Sequence, residues 1–260
     1  MKLAYKGDPF FQFPRVSRKT SLGIVDFPIY YYDTSNVIAI FKADQLGVDK
    51  LLTNTGFKEA IFLNGSPLVF MSFYEYRHTS IGSYNEVGLA IPIIKNGVKQ
   101  NYNSYLDLLR DVDKRQIGFY VTNLPVNTEE ANAAGREFWG FPKFVTDIPF
   151  KLENKYFESE VKDPTGSSIC KLGGDLKLGI KAPALSAITY SNLNGKTHRT
   201  AVNVRGDFKA YLAHKVRLRI GNSGHDMAEN LRALKLNNSR PVCIMSSTTF
   251  QSRLNLGATI

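Results

Sequence analysis

The run Gly135-Arg136-Glu137-Phe138-Trp139-Gly140-Phe141-Pro142-Lys143-Phe144 sets one lysine among aromatic side chains. An ordinary lysine has a pKa of about 10.4, so at neutral pH only roughly one in a few thousand is the free amine that attacks a carbonyl. Apolar surroundings disfavour the ammonium and can lower that value by up to ~3–5 units. Pro142 fixes its own φ and biases Phe141 toward extended geometry, so Lys143 sits on a constrained backbone. A neutral, positioned amine walled by Trp139, Phe141 and Phe144 is what Schiff-base catalysis requires. The same residues allow a plainer role, in which the lysine stem covers apolar surface and its head stays in water.

Other charged residues stand where they could assist such an amine. Glu86 lies in Gly82-Ser83-Tyr84-Asn85-Glu86-Val87-Gly88-Leu89-Ala90-Ile91-Pro92. A carboxylate held in a pocket gives general acid–base assistance, whereas on an open strand it is an ordinary solvent-facing side chain. The β-branched and aromatic segment Leu68 to Arg77 reads as a long strand, with Met71, Phe73, Glu75 and Arg77 on one face and Ser72, Tyr74, Tyr76 and His78 on the other. If the first face lines a pocket, Glu75 and Arg77 bind substrate; if the second does, Tyr74, Tyr76 and His78 take their place. Arg136 either orients a substrate carboxylate or forms an ion pair with Glu137 that holds a helix against the sheet.

The run from Gly135 to Lys143 closely resembles the signature of the acetoacetate decarboxylase family, in which the lysine after the proline is the Schiff-base nucleophile. The Gly82–Pro92 segment is similar to that family's glutamate-bearing strand, and Arg217-Leu218 opens a C-terminal block that aligns loosely. The resemblance implies a closed or conical barrel with Lys143 pointing inward and Glu86 as a pocket carboxylate. It further implies a homo-oligomer and a reaction that needs no metal or organic cofactor, because the lysine itself is the electron sink. Three positions depart from the family pattern. Phe144 stands where a second lysine follows the nucleophile, Thr34, between Asp33 and Ser35, stands where an arginine is expected, and neither Met71 nor Ser72 supplies the first strand's glutamate. The expected activity is a carboxy-lyase acting on a small oxo acid. A Schiff-base aldolase, dehydratase or cyclase on a 2-oxo or 3-oxo acid is an alternative, and a non-catalytic barrel that binds small carbonyl compounds is another.

Several elements must position these groups. Asn127-Thr128-Glu129-Glu130 resembles a capping box with Asn127 as the cap, opening a helix through Ala131, Ala133 and Ala134 to about Glu137, with Gly140 placed to end it. The negative end of that helix would favour the ammonium by ~0.3–1 kcal/mol, less than the several pKa units at about 1.36 kcal/mol each by which full desolvation opposes it. Strands are predicted at Val37 to Phe41, Lys58 to Leu63, Ile117 to Leu124, Phe150 to Leu152, Tyr156 to Val161, Ser168 to Leu172, Val216 to Ile220 and Val242 to Thr249. Leu185 to Asn192 and Thr197 to Val204 flank Asn194-Gly195, the strongest hairpin signal in the chain. Short helices are predicted at Asp44 to Leu52, with Asp44 as N-cap, at Ser104 to Val112, with Ser104 or Asn103 as cap, and at Ala228 to Leu236. Many strands, frequent turns and few helices argue an α+β, mainly antiparallel β fold. Residues 1–36, rich in Phe, Tyr and Pro, read as an irregular N-terminal arm.

At 260 residues without a Pro/Gly/Ser-rich linker, one large domain is expected. Cys170 and Cys243 lack metal-ligand spacing and are too few for a disulfide scaffold. No apolar run after Met1 to Asp8 reaches signal-peptide length, and no stretch has the ~18 apolar residues of a membrane span, so a cytoplasmic protein that avoids membranes is expected. The net charge of +10 is dispersed, densest at Arg15, Arg18 and Lys19 and at Lys209, His214, Lys215, Arg217 and Arg219. No nucleic-acid-binding signature accompanies it, so a basic surface that attracts small carboxylates is the reading and nucleic acid is not an expected partner.

Overall fold

The structure is a computed structural model that describes residues 5, 7–99, 104–153, 155–213 and 215–260. After a 3-10 turn at Pro9–Phe11, the hairpin of β1 (Val16–Thr20) and β2 (Gly23–Phe27) leads into the long strand β3 (Ile29–Lys42). Helix α1 (Gln45–Leu52), the short strands β4 (Phe57–Glu59) and β5 (Phe62–Leu63), and the long strands β6 (Ser66–Thr79) and β7 (Tyr84–Lys95) follow. Next come α2 (Ser104–Asp107), a 3-10 turn at Val112–Lys114, β8 (Gly118–Asn123) and α3 (Glu129–Trp139). The second half holds β9 (Phe150–Glu153), β10 (Tyr156–Lys162), β11 (Ser168–Asp175), β12 (Ile180–Ala182), β13 (Ala187–Leu193) and β14 (Lys196–Arg205). It closes with β15 (Phe208–Tyr211), β16 (Arg217–Ile220), α4 (Asp226–Ala233), β17 (Cys243–Leu254) and β18 (Ala258–Thr259).

Strands β3, β6, β7, β8, β13, β14 and β17 form a closed seven-stranded barrel, because β17 pairs with both β14 and β3. Every neighbouring pair is antiparallel except β8 with β13. The expected mainly antiparallel β-barrel with a few short helices is therefore the observed fold. Asn194 and Gly195 both take positive φ, the geometry that a two-residue hairpin turn demands.

Period-2 alternation sorts the barrel strands into an outer and an inner face. Outward side chains (Val37, Ala39 and Phe41 of β3, Met71 and Phe73 of β6, Val87 and Leu89 of β7) are fully buried. They are covered by a separate four-stranded sheet, β16-β11-β10-β9, and by helices α1 and α4. Phe73 meets Phe157 of that sheet edge to face with ring centroids 5.3 Å apart, and Met227, Ala228 and Leu231 close the same core from α4. Each such side chain contributes about 1.5–3 kcal/mol of burial free energy. A buried outer face leaves the inner face free to line a chamber, which makes the barrel a container.

Two expectations change. Within residues 1–36, expected as an irregular arm, strand structure begins at Val16. Residues 16–27 form the β1–β2 hairpin and residues 29–36 are the first half of β3. The aromatic run Tyr30-Tyr31-Tyr32 has no polar alternation because both faces of β3 are covered, so periodicity gave no strand signal there. The arm's Phe11 docks on the body against Tyr30 and Tyr32. The helix expected over Ser104 to Val112 is a single α-turn followed by a 3-10 turn. Asn103, considered as its cap, and His214 lie outside the described residues. Among the described residues no helix is long and apolar enough to cross a membrane, and no group of acidic, His and Cys side chains could hold a metal ion.

Candidate active site

Helix α3 is capped one residue later than Asn127: Thr128 is the N-cap, its hydroxyl accepting from Ala131 N at 3.4 Å. Asn127 instead accepts from the backbone N–H of Asn85, tying the helix entrance to the start of β7. The helix ends at Trp139, and Gly140 takes the left-handed conformation at φ +63° as the C-cap, donating its N–H to Arg136 O. A side chain at Gly140 would also collide with the backbone of Asn192.

Beyond the cap the chain runs back past the helix. Leu124 N donates to Pro142 O and Val126 N to Phe144 O, while Val87 N donates to Pro125 O, so the lysine segment lies one bridging stretch away from β7. The Lys143 backbone is held at both ends, its N–H donating to Phe141 O at 2.7 Å and its carbonyl accepting from the Arg136 guanidinium at 2.9 Å. The side chain then crosses α3 at Gly135, where a Cβ would stand 2.2 Å from Lys143 Cε. Only glycine leaves that passage, which accounts for a residue that costs a helix interior about 0.8–1.0 kcal/mol relative to alanine.

Lys143 Nζ ends 2.5 Å from Glu86 Oε2, with the two side chains only 5% and 10% exposed. The other carboxylate oxygen accepts from the Tyr76 hydroxyl at 3.2 Å, and the Tyr31 and Tyr84 hydroxyls share a hydrogen bond of 2.9 Å. The Tyr84 ring lies 5.8 Å from the amine, and Tyr74 stacks on Tyr76. Burial, with the charge of Glu86 adding to it, raises the phenol pKa values of Tyr31, Tyr74 and Tyr76, that of Tyr74 to about 12. Tyr84 is raised by burial, then by Tyr31 and Glu86. These phenols therefore stay protonated and remain hydrogen-bond donors through the neutral range. One amine, one carboxylate and four neutral phenols face a cavity of about 190 Å³ whose remaining walls are almost wholly apolar. Such a site can exchange a proton between amine and carboxylate while keeping a bound carbonyl away from bulk water.

The cavity gathers Lys143, Glu86, Trp139 and Phe141 from the sequence-predicted set. Trp139 and Phe141 stack in its wall, and the Trp139 indole N–H donates to Asn255 O. Glu75, Arg77, Phe144 and Arg136 do not line it. The inner face of β6 carries Phe70, Ser72, Tyr74 and Tyr76, so the tyrosine alternative is the observed one. Arg77 points outward and pairs with Asp33, Glu75 and Ser35 at the surface. His78 also lies away from the cavity, packed against Tyr32. Phe144 packs on His225 with ring centroids 4.2 Å apart, on the opposite side of the chain from Lys143. Arg136 stands outside the cavity wall, and its guanidinium donates to the Lys143 carbonyl. Glu137 accepts from the hydroxyl and N–H of Ser21 in the β1–β2 turn. Sequence reasoning missed Tyr31 and Tyr84 as cavity groups and Gly135 as the passage. A glycine inside an alanine-rich helix was the available signal for the last.

A closed β-barrel with an enclosed lysine–glutamate pair defines a class of protein that can hold a carbonyl compound beside an amine. The model of the acetoacetate decarboxylase (ADC) family matches residues 14–229, and the chain belongs to that family. The fold is shared with a structure described as acetoacetate decarboxylase at TM-score 0.64 and 18% identity, covering 90% of this chain and 89% of that one. The acetoacetate decarboxylase of Legionella pneumophila matches at TM-score 0.64 and 15% identity, covering 97% and 94%. The enduracididine biosynthesis enzyme MppR matches at TM-score 0.60 and 10% identity, covering 90% and 87%. A search of curated proteins returned no match.

Proposed function

We propose that the protein is a carbon–carbon lyase that condenses Lys143 with the ketone of an oxo acid and releases CO2. The observation that carries this reading is the buried contact of Lys143 Nζ with Glu86 in the wall of a largely apolar cavity inside the barrel. Glu86 accepts a proton from the amine, whose lone pair adds to the ketone carbon. The resulting carbinolamine loses water to give an iminium. The carboxyl-bearing carbon–carbon bond then breaks, its electron pair moving toward the iminium nitrogen, so that CO2 departs and an enamine remains. Protonation at carbon and hydrolysis by water return the ketone product and the free amine. The apolar walls favour the bond-breaking step, because a localised carboxylate charge is lost as neutral CO2 forms.

The lining supports decarboxylation over chemistry that retains the carboxylate. An aldolase or dehydratase must hold that group throughout its cycle, and among the described residues Lys143 is the only cationic side chain in the cavity wall. Uncharged phenols of Tyr31, Tyr76 and Tyr84 can orient a carboxylate without strongly stabilising its charge.

The test is to add oxo acids with borohydride and locate the adduct by mass spectrometry while following CO2. A reduced adduct on Lys143 with CO2 release, both lost in Lys143→Ala, is the expected result. An adduct without CO2 release selects the aldolase-type reaction that the fold neighbour MppR, described in complex with a condensation product of pyruvate and an aldehyde, also brings to mind. Full turnover by Lys143→Ala overturns the mechanism, and no adduct with any carbonyl compound leaves a binding barrel.

A further inference from the structure

The cavity extends well past the reacting pair, and its walls change character as it does. The β6–β7 register pairs Tyr74 with Glu86, Ser72 with Gly88 and Phe70 with Ala90, three successive tiers on the inner face. Four residue steps along β7 separate Glu86 from Ala90, about 14 Å at ~3.4 Å per residue. The first tier holds the carboxylate and, around it, the amine and the phenols. The second is built on the smallest side chains available, Ser72 and Gly88, flanked by Ile38 and Met245, which pair across β3 and β17. The third is Phe70, Ala90 and Val121, closed by Phe119 and Leu108.

Beyond the first tier the described lining carries no charged side chain, and its polar groups are hydroxyls. Two of these already have backbone partners, Ser186 accepting from Val204 N and Thr189 donating to Thr200 O. A void lined this way is held open at a cost in packing that rises with its volume. Acetoacetate has only a methyl group to place there. A dry apolar cavity of about 150 Å³ accommodates benzene, so about 190 Å³ has room for a larger apolar body together with the reacting atoms.

We infer that the substrate of this site is a 3-oxo acid whose ketone carries an apolar tail, an alkyl chain or aryl group of about five carbons or more, lying along the second and third tiers. This rests on the imine reading above and specifies which oxo acid it serves. The ketone sits at Lys143, the carboxylate faces the phenols of Tyr31, Tyr76 and Tyr84, and the tail enters the space beside Gly88 and Ala90. Burial of each further methylene is worth about fourfold in kcat/KM until the tunnel is full, so 3-oxooctanoate should exceed acetoacetate by about a hundredfold or more over four added methylenes.

The experiment compares acetoacetate, 3-oxohexanoate, 3-oxooctanoate and benzoylacetate for borohydride trapping on Lys143 and for CO2 release. Rising kcat/KM along the linear series supports the inference, and the benzoylacetate arm shows whether the tunnel also takes a flat ring. Ala90→Leu, which fills the third tier, should reduce the preference for 3-oxooctanoate over acetoacetate at least tenfold. Equal trapping and turnover of acetoacetate and 3-oxooctanoate would overturn the inference while leaving the imine chemistry standing. Failure of all four acids to form an adduct would overturn both.

Discussion

The passage of Lys143 across helix α3 at Gly135 gives the sharpest test of how the buried amine is aimed. In Gly135→Ala the new methyl carbon would stand 2.2 Å from Lys143 Cε and 2.3 Å from Cδ. Carbon atoms rest at about 3.5–4.0 Å, so the lysine stem must move by roughly 1.3–1.8 Å. A displacement of about 1 Å in a reacting group can cost on the order of a hundredfold in rate. Stability should change little, because alanine gains about 0.8–1.0 kcal/mol of helix propensity while a strained lysine rotamer loses about 0.5–1.5 kcal/mol. The expected outcome is a folded protein with a melting temperature near the parent's and a kcat/KM for CO2 release lower by about two orders of magnitude. Borohydride trapping should slow in parallel. Activity within threefold of the parent, in a variant that melts normally, would refute the claim that this glycine sets the position of the amine.

Three further outcomes follow from the geometry. Glu86→Gln keeps the shape of the side chain but not its basicity, so kcat should fall by about 10²–10⁴ with KM shifted far less; an equal loss in both would mean that Glu86 serves binding instead. Arg77→Ala should leave kcat/KM within a few-fold of the parent, since its partners Asp33 and Glu75 lie on the outer face; a large loss would return the other face of β6 to the site. Absorbance titration at alkaline pH should show the cavity tyrosines ionising after the exposed ones. Their folded pKa values lie above the unfolded ~10, so their stabilising contribution is complete below pH 10 and is lost as pH rises through the folded values, about 12 for Tyr74. A single midpoint near 10 for all tyrosines in a chain that stays folded would contradict the cage.

The Lys143–Glu86 pair was legible because chemistry constrains residue type: an amine after a proline amid aromatics, and a glutamate in a strand similar to the family's. The face of β6 was not, since Met71 and Phe73 on one side and Tyr74 and Tyr76 on the other are all bulky and all covered, leaving no polar alternation to read. Arg136 is misleading in sequence for a related reason. An arginine near a nucleophile suggests a substrate clamp, yet its reach is set by the helix end, and there the nearest acceptor is the Lys143 carbonyl. Phe144 packs on His225 instead of entering the cavity, so adjacency to Lys143 in sequence does not make it part of the chamber. The first half of β3 was lost to its run of tyrosines, and with it Tyr31, whose place beside Tyr84 only the closed barrel reveals.

The seam of the barrel bears on how the protein folds. Strand β17 docks beside β3 with Cys243 opposite Ile40 and Leu254 opposite Ile29, joining the first barrel strand to the last. Contacts between such distant segments must meet the entropy of closing a very long loop before they reward it, which makes folding slow. During synthesis the chamber therefore has no wall on that side until β17 has left the ribosome. A product shortened before β17 keeps both Lys143 and Glu86 but loses the enclosure that could make them an enzyme.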